Sequence, residues 1–121
     1  MNGPVASALA GSPALGAKFE AFRSAAHDAL GAEFTAQIRD AVAQVHGMET
    51  PSSGEGPAAE LAATLAYARR IPFEHTAITD ADAAAVIAEI GEARFVAFSV
   101  VAALADAECR AQKVDLAGLT A

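Results

Sequence analysis

His46, Glu49 and Glu55 fall close together in the chain and are of the types that do acid–base chemistry. An imidazole exchanges protons near neutral pH, and a carboxylate beside it can orient the ring or take up the proton. Spacing alone assigns none of the three a partner. The plainer reading of His46 is a residue at the C-terminal end of a helix, where positive charge suits the helix dipole. His27 and His75 read as surface residues. No two histidines stand at i, i+4, so no zinc site is expected, and no cofactor is expected either.

Cys109 is the only cysteine. A lone nucleophile would need a histidine brought to it by the fold, because none is local. A packed thiol in a helix is the plainer reading. Asp80 with Asp82, and Asp106 with Glu108, are carboxylate pairs at i, i+2. That spacing points their side chains to different faces of a helix, so neither pair makes an acid–base couple. Capping and solvated faces account for them. Met48, Tyr67 and Phe73 could line a pocket, but core packing is the plainer reading.

A chain of 121 residues makes one domain, large enough for a real core. Its hydrophobic fraction is 54%, much of it alanine, and it has no tryptophan. Alanine loses no side-chain entropy in a helix, so the composition predicts an all-α fold. The net charge of −7, with basic residues scattered, argues against a nucleic-acid partner. It fits a soluble, bacterial-type surface. A single cysteine forms no internal disulfide, which fits a reducing, cytoplasmic compartment. Residues 5–10 have no basic segment before them and do not read as a signal peptide. The longest apolar run, Phe95 to Ala105, includes Ser99 and falls well short of the roughly twenty residues that span a bilayer. No membrane partner is expected, and the run reads as a buried core helix.

Five helices follow from the spacing of apolar residues. Residues 1–11 read as a flexible N-terminus, and residues 12–121 as a single helical domain. Ser12-Pro13 opens the first helix, over 13–30, with Leu15, Phe19, Phe22, Ala26 and Leu30 as its apolar face. Gly31 stops it. The second helix, from about Glu33 to His46, carries Phe34, Ile38, Ala41 or Val42, and Val45. Residues 48–57 read as a loop. The third starts at Pro57 or Ala58, buries Leu65 and Ala68, places Arg69-Arg70 in its last turn and stops at Pro72. Residues 71–78 read as a connector with Phe73 tucked inward. Thr79 caps the fourth, Asp82 completes a capping box, and Gly91 closes it. The fifth runs from about Glu92 to Lys113, apolar on more than one face in its first half and therefore central.

Three stretches resemble the carboxymuconolactone decarboxylase / alkylhydroperoxidase D-like superfamily. They are Ser12-Pro13-Ala14-Leu15 with the helix after it, Phe34 to Gly47, and the C-terminal half. In that half Leu65 to Pro72, Ile78-Thr79-Asp80-Ala81-Asp82 and Phe95 to Leu104 follow in the family's order. The resemblance covers most of residues 12–116 and implies a helical bundle that self-associates. Peroxidase-type members of that family carry Cys-x-x-Cys, with a glutamate upstream and a histidine after it. One thiolate attacks, the second thiol resolves, and the Glu and His relay the proton. Alignment on Gly47 places Met48 and Pro51 at the two cysteine positions, Ala36 near the glutamate and Glu55 near the histidine. The loop over 48–57 further implies that the motif helix is largely missing.

The resemblance therefore implies the scaffold without its thiol chemistry. The expected function is a non-redox homo-oligomer that acts as a scaffold or binds a small ligand. The alternative is a thiol-independent decarboxylase or lyase using His46 with Glu49 and Glu55.

Overall fold

A computed structural model of the chain describes residues 3–48, 61–115 and 118–119. These residues are all-α: α1 (Pro4–Ala8), α2 (Pro13–Leu30), α3 (Ala32–Val45), α4 (Ala62–Glu74), α5 (Asp80–Ile90) and α6 (Glu92–Lys113), with a 3-10 turn at His75–Ala77 after α4. The loop read over 48–57, from Glu49 on, and the start of a helix at Pro57 or Ala58 lie outside the described residues. The bounds of α2 and α6 coincide with those read from the sequence.

Helix α6 is the centre, in contact with all five other helices. Its residues Phe98, Val101 and Ala102 are fully buried, and Ala105 nearly so. Ile38 and Val42 of α3, Leu65 and Ala68 of α4, and Val86 of α5 complete the core around them. Tyr67 of α4 meets both Phe95 and Phe98 edge-on, with centroids 5.9 and 5.7 Å apart, the geometry that aromatic quadrupoles prefer. Tyr67 and Met48 are both partly buried and pack against the core cluster.

Two glycines make the sharpest joints. Gly31 ends α2 and begins α3, and Gly91 ends α5 and begins α6. Their φ, ψ values are 89°, 158° and 86°, 160°, a region open in practice to glycine alone. One residue thus turns the chain from each helix directly into the next.

Helix α5 begins as its sequence indicates. The Asp82 backbone N–H donates to the Thr79 hydroxyl at 3.2 Å, and the Thr79 N–H donates to the Asp82 carboxylate at 2.9 Å. These bonds to Thr79, with Arg70 beside them, hold the Asp82 carboxyl below its usual pKa. Helix α4 begins differently. Its first turn has no cap of its own, and Glu89 of α5 reaches across to it. The Ala63 N–H, the Thr64 N–H and the Thr64 hydroxyl donate to Glu89 at 3.0, 2.8 and 2.7 Å. Thr64 is fully buried, so these are partners it cannot replace with water.

Four expectations are corrected. Residues 4–8, read as a flexible end, form α1, with Ala6 buried and the segment in contact with α2 and α6. There Gly3 approaches Glu108 so closely that a Cβ would lie 2.8 Å from its Oε2. The stripe read on α2 is only partly inward: Leu30 is buried, but Leu15 and Phe22 are 55% and 49% exposed. Helix α4 does not stop at Pro72 but runs on to Glu74. A proline in the last turn removes one hydrogen bond, and the buried ring helps to offset that loss. Arg70 consequently lies a turn before the helix end, and donates to Asp82 at 2.9 Å and to the Ala77 carbonyl at 3.0 Å. Finally, Phe73 is 55% exposed rather than tucked into the core.

Phe98→Ala removes a ring packed on every side and is expected to cost about 3–5 kcal/mol in denaturant melts. A loss below about 1 kcal/mol would show that α6 is not the central helix. Glu89→Ala strands the partners at the start of α4 and is expected to cost about 1–3 kcal/mol. Burial pushes the Glu89 carboxyl up, but the bonds from Thr64 and Ala63 outweigh it and leave the pKa lowered. A carboxyl with a lowered folded pKa stabilises above its unfolded value, about 4.3 for glutamate. That stability is lost as the pH falls through the folded value. Melts of the wild type and Glu89→Ala should therefore draw together as the pH falls from the unfolded value through the lower folded one, and a gap that stays constant into acid would refute the assignment.

Candidate functional site

The C-terminal end of α3 delivers His46, whose side chain is 1% exposed. It sits at the helix cap with backbone angles still near helical. Its Nε2 lies 2.7 Å from Oδ1 of Asp106 on α6. Its Nδ1 lies 3.3 Å from the Lys113 Nζ, two turns further along the same helix. A lysine ammonium only donates and a carboxylate only accepts, so the two contacts together select the neutral tautomer with its proton on Nε2. The carboxylate fixes the ring, and the Nδ1 lone pair faces the ammonium.

Asp106 is held in turn by Arg110, one turn along, whose Nε donates to both carboxylate oxygens at 3.0 and 3.1 Å. Arg110 Nη2 also donates to the Pro72 carbonyl. Phe73 closes the group from α4. Its ring meets His46 edge-on with centroids 4.9 Å apart, and the Arg110 and Lys113 cations lie 5.1 and 5.8 Å from its centre. Three helices are thus tied together at one end by a polar cluster around a buried imidazole. The contacts to His46 and the two cations give Phe73 its place at the surface.

Of the residues read as acid–base candidates, His46 is in this cluster. Glu49 and Glu55 lie outside the described residues. The carboxylate that the structure places on His46 is Asp106, which the i, i+2 argument had assigned to solvent. A spacing signal was present: Asp106, Arg110 and Lys113 stand at i, i+4 and i+7 and share one face of α6. Nothing in the sequence places that face beside His46.

Cys109 lies on α6 between these residues and is buried. Burial pushes its thiol pKa up, and the Asp106 carboxylate adds to the rise. Both act against the thiolate, the form that attacks disulfides and peroxides. Among the described residues no three His, Cys, Asp or Glu side chains gather as a metal site requires. None of the described helices is long and apolar enough to cross a membrane. A mostly apolar surface groove of about 650 Å³ lies elsewhere, between the α1–α2 turn and α2, lined by Leu9, Ala10, Pro13, Ala17 and Ala21 with Glu20 and Ser24.

Comparison of the chain with models of protein families, with curated proteins and with solved structures found no match in any of the three.

Cys109 is expected to react with a disulfide reagent at least about a hundredfold more slowly in the native protein than in denaturant. Equal rates in the two conditions would show that the thiol is open and activated.

Proposed function

We propose that this chain carries the helical scaffold of the carboxymuconolactone decarboxylase / alkylhydroperoxidase D-like kind without its thiol chemistry, and works as a homo-oligomer that binds a small ligand. The observation that carries the non-redox part is Cys109: one thiol, its thiolate disfavoured first by burial and then by Asp106. A thiol peroxidase needs an attacking thiolate and a means of resolving it. Support for the scaffold is the order of elements, with a Thr79-capped α5 between α4 and a long apolar α6. Support for self-association is the apolar surface left open. Leu15 and Phe22 on α2 and Val96 on α6, 65% exposed, are large side chains that gain by being covered. The groove beside α2 is mostly apolar and suits a small apolar ligand.

A second reading has its own observation. The Asp106–His46 pair has the form of an acid–base dyad, in which a carboxylate holds the ring so that its other nitrogen serves as a base. This reading is a thiol-independent enzyme of decarboxylase or lyase type, with Asp106 taking the part first assigned to Glu49 and Glu55.

Light scattering at micromolar concentration is expected to give a mass of two or more chains, and a clean monomer would refute self-association. A hydroperoxide assay with a disulfide-reducing regeneration system is expected to show no turnover. Robust turnover abolished by Cys109→Ser would overturn the non-redox reading.

A further inference from the structure

The chain has two lysines, Lys18 and Lys113. Lys18 is exposed on α2. Lys113 is also exposed, but its Nζ lies 3.3 Å from the Nδ1 of a buried imidazole whose other nitrogen is bound to a carboxylate. An amine becomes a nucleophile only after it loses a proton, and a positioned base that can take that proton activates it. Here the acceptor is an imidazole nitrogen, and Asp106 stands 2.7 Å from the far side of the ring to stabilise the imidazolium that forms. The Arg110 guanidinium shares the Phe73 ring with Lys113 and places a second positive charge beside it.

We propose that Lys113 is a covalent site for small 2-oxo acids, which it captures as an imine with His46 as the proton carrier. The proposal rests on the acid–base reading of His46 given above. Lys113 passes one proton from its ammonium to His46 Nδ1. The free amine adds to the keto carbon, a C–N bond forms, and the carbonyl electron pair moves to oxygen. A proton then shifts from nitrogen to that oxygen, giving the neutral carbinolamine. The imidazolium returns its proton to the hydroxyl, the C–O bond breaks, and water leaves. The products are the protonated imine and neutral His46. The net change is one ammonium and one 2-oxo acid to one protonated imine and one water, with charge conserved and no oxidant needed. The electrophile reaches Lys113 from solvent, and the cations of Lys113 and Arg110 attract its carboxylate.

The test uses the full-length protein, glyoxylate as the probe and cyanoborohydride to fix the imine, with peptide mapping by mass spectrometry. Lys18 in the same molecule is the internal reference. Lys113 is expected to be labelled faster than Lys18 by about a hundredfold, the low end of what a positioned general base contributes. The preference should fall to the Lys18 rate in Asp106→Asn and in His46→Gln. Labelling of Lys113 no faster than Lys18 in the wild type overturns the proposal whether or not either variant folds. So does a preference that persists unchanged in a folded Asp106→Asn. Nitrogen-15 NMR of the imidazole reads the underlying dyad separately. A ring protonated on Nε2 with no Lys113 preference would sink imine capture alone. A neutral ring protonated on Nδ1 would sink the acid–base reading with it.

Discussion

Burial of one face of α6 against five neighbours is the constraint from which the rest of this structure follows. A helix of 22 residues with Phe98, Val101, Ala102 and Ala105 on its inward side can exclude water only if other helices pack around it. Helices α2, α3, α4 and α5 do so, and α1 adds a short cap. The small residues matter as much as the large ones. Ala102 and Ala105 on α6, with Ala41 on α3 and Ala68 on α4, are all buried. Such residues let backbones approach, and the few large side chains then fill the space between them.

The polar contacts are placed where that packing leaves helix ends to be satisfied. Glu89 closes the start of α4, Thr79 and Asp82 close the start of α5, and Arg70 braces the turn between those two helices. The end of α3 is different, because its polar residue is a histidine driven into the interior. A buried imidazole requires partners for both nitrogens. Asp106 and Lys113 supply them, and both come from the polar second half of α6. The helix that organises the core thus also supplies both partners of the buried imidazole. The division along α6 is physical: beyond Glu92 and Arg94 its first half is apolar apart from Ser99 and packs, while its second half offers charges and meets helix ends.

This coupling bears on the lone thiol. Cys109 occupies the inward face of the polar half, one turn from Asp106, and shares the burial of the core; that burial and the Asp106 carboxylate outweigh the pull of Arg39 and Lys113 and keep the thiol protonated more firmly than a free one. A residue that in isolation reads as a possible nucleophile is packed in the core cluster, while Asp106 and Lys113 on the same helix hold the His46 ring. The same helix leaves Val96 uncovered on its outer side, as α2 leaves Leu15 and Phe22. Six helices of this length cannot surround every apolar stripe, and this chain carries more apolar surface than its own fold hides.

What the sequence determined by itself was local: the helices over 13–30 and 92–113, where glycines at 31, 47 and 91 and the Thr79 capping box interrupt the chain, and that the helix holding Phe95 to Ala105 is the central one. These follow from propensity, periodicity and capping, which act over one or two turns and need no knowledge of the partner. The turn to glycine-only angles at positions 31 and 91 agrees with the stop signals there. The tertiary structure alone decided which residues meet across 60 or more positions of chain. Asp106 and Lys113 are 60 and 67 residues from His46, and only the packing of α3 on α6 brings them to its ring. It also decided that Phe73 faces the cluster instead of the core, that Glu89 caps a helix other than its own, and that residues 4–8 gain a helix by leaning on α6. Such contacts are settled by which helix faces are left after the large apolar side chains have packed, and no local pattern contains that information.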